Sequence, residues 1–111
     1  MEIVIKLSDE FCRQAKRFAK KYKSFVEDLT LFQHELQQNP YLGVDLGGGK
    51  RKVRLNVSSK NKGKRGGMRI ITYQMEQRQD CLYIFLITIY DKSEYSNVSD
   101  RYVNQIIQGL Q

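Results

Sequence analysis

Nine of the chain's 19 lysines and arginines fall between residues 50 and 69: Lys50, Arg51, Lys52, Arg54, Lys60, Lys62, Lys64, Arg65 and Arg69. No aspartate or glutamate interrupts that window. Gly63, Gly66 and Gly67 stand among the cations. Glycines let backbone N–H groups approach an anion closely, and lysine and arginine supply the countercharge. The pattern suits the phosphates of a polyanion, gripped without reading sequence. A charge run is usually a solvated surface. This one lies partly on predicted strands, which aim alternate side chains to one side. Tyr73 and Tyr90 are candidate stacking surfaces beside the cations, with core or rim positions as the other reading.

Other chemistries find no support. Gly47-Gly48-Gly49-Lys50 hints at a phosphate loop, but that loop needs G-x-x-x-x-G-K-[ST], and here Val44 and Arg51 occupy the first glycine and the final hydroxyl positions. His34 is the only histidine, which excludes a two-histidine ribonuclease mechanism. Cys12 and Cys81 are far apart and form no C-x-x-C pair, so two free packing thiols in a reducing cytoplasm are expected. No metal site and no cofactor are expected.

The elements that must position these residues follow from periodicity. A short strand spans residues 2–6. Ser8 is a helix N-cap, followed by Asp9 and Glu10 in the first turn. Phe11, Ala15, Phe18, Ala19 and Tyr22 recur at helical spacing. A turn near Lys23 leads to a second helix with the stripe Phe25, Leu29, Phe32 and Leu36, which stops before Pro40. Residues 41–49 read as a glycine-bearing loop. Residues 52–57 alternate, with Val53, Leu55 and Val57 on the core side and Lys52 and Arg54 on the other. Residues 58–67 are a polar connection, 68–75 and 81–90 are two further strands, and a last helix starts near Ser99. The fold class is α+β, in the order β-α-α-β-β-β-α. Consecutive strands pair as an antiparallel sheet, with helices packed on one face and the charged face free.

With 111 residues, the chain is read as a single domain spanning residues 1–111. Its net charge of +7 favours a polyanionic partner. No stretch approaches the ~18 apolar residues of a membrane span. The first residues carry no secretory-signal pattern, so a cytoplasmic location without membrane association is expected.

Three stretches together resemble the RelE/HigB family of bacterial type II toxins, within the RelE/ParE superfamily. They are Lys52-Val53-Arg54-Leu55, then Gly63 to Tyr73 with its K-R-G-G-x-R block, then Leu86 to Glu94 with its Y-x-K-x-E block. The resemblance extends over nearly the whole chain. It implies an mRNA interferase, a hydrolase-type endoribonuclease that acts on mRNA in the A site of the 70S ribosome and so inhibits translation. It also implies a cognate antitoxin, and operator DNA as a partner only through the toxin–antitoxin complex. Carried onto this sequence, Lys52, Arg54, Arg69 and Lys92 are the implied catalytic residues. The charge run and its neighbouring tyrosines make Lys50, Arg51, Lys60, Lys62, Lys64, Arg65, Tyr73 and Tyr90 the expected RNA-binding residues, and Glu94 is an expected supporting residue that pairs with an arginine. The basic loop is longer than in the RelE branch and more like that of HigB. The C-terminal catalytic tyrosine of RelE has no clear counterpart, Tyr95 and Tyr102 being candidates by proximity alone.

Without a histidine pair, cleavage by this family's route rests on a 2′-hydroxyl attacking the adjacent phosphate. Arg54 and Arg69 clamp the phosphate with planar forks, and Lys52 or Lys92 carries protons. Three readings compete with this one: a ParE-like toxin directed at gyrase, a non-catalytic RNA- or ribosome-binding module, and a decayed toxin that keeps only the fold and the antitoxin groove.

Overall fold

The computed structural model describes residues 2–60, 67–78 and 80–110. Its elements run β1 (Glu2–Leu7), α1 (Asp9–Lys21), α2 (Phe25–Gln38), β2 (Val44–Gly47), β3 (Lys50–Leu55), β4 (Met68–Arg78), β5 (Cys81–Asp91) and α3 (Asp100–Gln108). The strands form one five-stranded sheet in the order β1-β5-β4-β3-β2. The α+β class and the helix positions are as the periodicity predicts.

Three details differ from expectation. Residues 44–47, read as loop, form the edge strand β2, because Asp45 and Val44 pair with Arg51 and Lys52. The meander β3-β4-β5 is antiparallel, but β1 joins β5 in parallel, so the sheet is mixed. The helices are not all on one face. Phe11, Phe18, Phe25, Phe32 and Leu36 of α1 and α2 pack on Val53, Leu55, Ile70, Ile84 and Leu86. The last helix instead covers part of the opposite face, where Val103 meets Ile71, Phe85 and Ile87. The physical reason is the composition of β5. From Leu82 to Asp91 it is buried on both sides apart from half-buried Tyr83, and a strand apolar on both faces needs a cover on each.

Ser8 ties the first helix to the sheet. Its hydroxyl accepts the Phe11 N–H at 2.9 Å and donates to the Ile87 carbonyl at 2.7 Å. β1 stops pairing at Leu86, and Gln14 takes over the edge of β5 beyond it. Its Oε1 accepts the Ile89 N–H at 2.9 Å and the Thr88 hydroxyl at 3.0 Å. Two side chains of the α1 segment thus do for β5 what a longer β1 would have done.

A β-bulge decides which residues face which side. Ile71 pairs with Thr88 and Thr72 with Leu86, which leaves Ile87 as an extra residue in β5. Leu82, Ile84 and Leu86 face α1 and α2, and past the bulge the same side is taken by Ile89. Tyr90 consequently turns to the α3 face, opposite Arg69.

Gly43 governs the approach of the loop to β3. Its φ is 91°, and a Cβ there would collide with the Lys52 carbonyl oxygen. Gly43→Ala is expected to cost about 1–3 kcal/mol, read as a lower urea midpoint at unchanged slope.

Candidate nucleic-acid interface

The register places the cations. Lys50 lies opposite Tyr73, Lys52 opposite Ile71, and Arg54 opposite Arg69, which in turn lies opposite Tyr90. Since directly paired residues share a face, Lys50, Lys52, Arg54, Arg69, Tyr73 and Tyr90 all belong to the α3 side of the sheet. The intervening Val53 and Leu55 are buried against the helices on the other side.

No carboxylate among the described residues pairs with these cations. Lys50 Nζ donates to Asn104 Oδ1 at 3.1 Å, and Lys52 Nζ to Asn97 Oδ1 at 3.3 Å. Both asparagines are neutral, so they orient the lysines without offsetting their charge. Among the described residues Arg69 makes one long bond, NH1 to the Met68 carbonyl at 3.4 Å. Arg54 is exposed, and no described residue bonds or ion-pairs with it. Two arginines directly across a strand pair repel each other, a disfavoured arrangement unless an anion bridges them. A Cβ on Gly67 would stand 3.5 Å from Arg54 Cγ and 3.7 Å from an Arg69 nitrogen, so this buried glycine passes close between the two.

Other candidate residues are placed elsewhere. Arg51 points to the opposite side from Lys50 and Lys52. Its guanidinium donates to the Leu42 and Gly43 carbonyls, both at 3.0 Å, and lies 3.9 Å from Asp45. It holds the β2–β3 hairpin and is not available to a ligand on the α3 face. Lys60 is also withdrawn. Its side chain is 8% exposed and its Nζ is 3.3 Å from Asp91 Oδ1, itself 3% exposed. Lys60, expected as an RNA-binding cation, is instead turned inward because a buried carboxylate is in reach. Tyr90 is buried at 4% exposure, so its ring presents no open stacking face, whereas Tyr73 is half-buried. Lys92 is exposed in the turn after β5. Glu94 stands 3.7 Å from Arg17 of α1, the arginine pairing expected of it. Lys62, Lys64 and Arg65 lie outside the described residues.

A family model of the RelE toxin of the RelE/RelB toxin–antitoxin system matches residues 11–108. The chain belongs to the RelE toxin family. Among solved structures, a mutant of the E. coli toxin RelE in the free state matches over 100% of both chains, with a TM-score of 0.62 at 10% sequence identity. That likeness shows the fold.

In this RelE-family toxin a cleft of about 580 Å³ borders the cation face, between α1 and the segment leading to α3. Arg13, Arg17, Tyr95 and Asn97 are among its walls. Sequence reasoning missed α1 as a contributor, because its cations sit at ordinary solvent-face spacing. Asn97 and Asn104 also carried no local signal. Their roles depend on lysines 45 and 54 positions away.

The two tyrosines near the C-terminus differ. Tyr102 donates to Glu10 Oε2 at 2.8 Å and contacts Thr88 and Gln14, both at 3.3 Å. Burial chiefly pushes its phenol up, with Glu10 adding to the effect and Thr88 opposing it. Arg13 chiefly holds the Glu10 carboxyl low, burial opposes it, and Tyr102 assists. Tyr102 is therefore locked in a structural network, whereas Tyr95 is 58% exposed.

Asp91 anchors the turn that carries Lys92. It accepts the Ser93 N–H at 2.9 Å and the Ser93 hydroxyl at 2.8 Å, and its own carbonyl accepts the N–H groups of Glu94 and Tyr95. Burial raises its carboxyl pKa, but the Ser93 bonds and Lys60 outweigh burial and hold it below the usual range. Its stabilisation is thus present above the unfolded value, near pH 4, and is lost as pH falls through the lower folded value. Asp91→Asn is expected to cost about 3–5 kcal/mol at neutral pH by leaving Lys60 buried and unpaired. Urea unfolding across pH should show the gap from wild type closing in acid.

Proposed function

We propose that this RelE-family toxin is a ribosome-dependent mRNA endonuclease that inhibits translation and is neutralised by a cognate antitoxin. The observation that carries the reading is the uncompensated group Lys52, Arg54 and Arg69 on one face of a RelE fold. A polyanion is the ligand such a face lacks, and RNA carries in its own 2′-hydroxyl the nucleophile for cleavage. The 2′-hydroxyl attacks the adjacent phosphorus, the O2′–P bond forms and the P–O5′ bond breaks. The hydroxyl proton leaves to a base and another proton reaches the 5′ oxygen. Arg54 and Arg69 hold the phosphate and stabilise the charge that gathers on it. Lys52, aimed by Asn97, and Lys92 are the candidate proton carriers. Lys50 and Tyr73 extend the RNA contact along the same face. Operator DNA enters only through the toxin–antitoxin complex, and the site of action is the cytoplasm.

The test is cell-free translation of one reporter message with and without the toxin, with 5′ ends mapped by primer extension. New in-frame ends that vanish when ribosomes are omitted are the expected result. Cuts in naked RNA would keep the nuclease and remove the ribosome. An intact message would favour a gyrase inhibitor or a non-catalytic binder. Arg69→Ala should lower cleavage by about 100-fold or more, the scale of losing a principal charge-stabilising donor. Its circular dichroism and melting curve should stay close to wild type.

A further inference from the structure

Among the described residues, the Tyr90 hydroxyl is the one buried side-chain polar atom without a hydrogen-bond partner. Other enclosed hydroxyls in this fold are satisfied: Tyr102 bonds Glu10, and Ser8 bonds the Ile87 carbonyl. Burying a hydroxyl without a partner is costly, and a phenylalanine at residue 90 would keep the packing and remove the cost. The penalty falls on the residue opposite Arg69, within the cation face, and Tyr90 is there only because of the bulge at Ile87. Its ring packs with the cluster of Ile71, Phe85, Ile87 and Val103, which leaves the hydroxyl as its functional end. Burial pushes the phenol up and the Arg69 charge only partly opposes it, so at neutral pH the group is a donor. Among the described residues Arg69 makes a single long bond, to the Met68 carbonyl at 3.4 Å, so little holds its guanidinium in place.

We infer that the Tyr90 hydroxyl is a catalytic hydrogen-bond donor, reserved for an oxygen of the reacting phosphodiester beside Arg69, and is not a stacking platform. This rests on the mRNA-cutting reading above and adds to it a neutral donor that the cations do not supply. A neutral donor stabilises charge on the phosphate without adding to the repulsion between Arg54 and Arg69.

Tyr90→Phe tests it through two measurements on the same protein, thermal unfolding and the cleavage rate on message-programmed ribosomes. The variant should melt at the wild-type temperature or higher. It should cut about 10- to 100-fold more slowly, the scale of losing one hydrogen bond to a charged group. The loss should appear in the maximal rate, with half-saturation by programmed ribosomes unchanged. A lower melting temperature would mean that the hydroxyl has a partner within the folded chain, and the inference falls. Cleavage at wild-type speed also overturns it, while the mRNA-cutting reading stands. If wild-type protein cuts no message, that reading fails and the role of Tyr90 fails with it.

Discussion

The arrangement of the candidate site depends on one extra residue in β5. Strict alternation from Leu82, Ile84 and Leu86 would send Tyr90 into the α1–α2 core. The bulge at Ile87 shifts the count by one, so that Ile89 continues the core and Tyr90 comes up opposite Arg69. Past the bulge, Asp91 comes up opposite Met68, and from there it anchors the turn holding Lys92. Bulges re-aim side chains at the cost of a locally broken ladder. Here the disturbed edge is closed by Ser8 and Gln14, both from the α1 segment, so that fold and site share the same few bonds.

Charge is handled in two opposite ways within a short distance. Lys60 and Asp91 are enclosed together, and the pair is held by further bonds from Ser93. Such a pair is sensitive to loss of either partner and contributes little to a ligand. Arg54 and Arg69 face each other with no countercharge among the described residues, and the neighbouring lysines are aimed by neutral asparagines. Mutual repulsion of this kind is worth up to about 1 kcal/mol across a strand pair and is relieved by any anion that bridges the two. The enclosed pair stabilises the turn, and the two arginines are left without a countercharge among the described residues.

The helices divide the work similarly. Phe11, Phe18, Phe25 and Phe32 build most of the helical side of the core and leave the cations of α1 on its outer surface. The short α3 covers only part of the other face. Its Asn104 and the preceding Asn97 reach over the lysines, so the helix that completes the second core also orients the charged strand.

Much of this was legible in the sequence because it follows from local rules. Ser8 and Ser99 as N-caps, the phenylalanine stripe, the alternation of β3 and the acid-free basic window are all properties of neighbouring residues. With the motif resemblance, they identified the fold class and the Lys52–Arg54–Arg69 group. What only the tertiary structure decided involves residues far apart in the chain. Arg51 and Lys60 look like their basic neighbours in sequence, yet carbonyls of the preceding loop hold one and the carboxylate of Asp91, 31 residues on, buries the other. A bulge depends on the register of two strands, so no alternation pattern could show that Tyr90 turns towards Arg69. The unpaired state of its hydroxyl is more remote still, because the absence of a partner is a property of the whole enclosure.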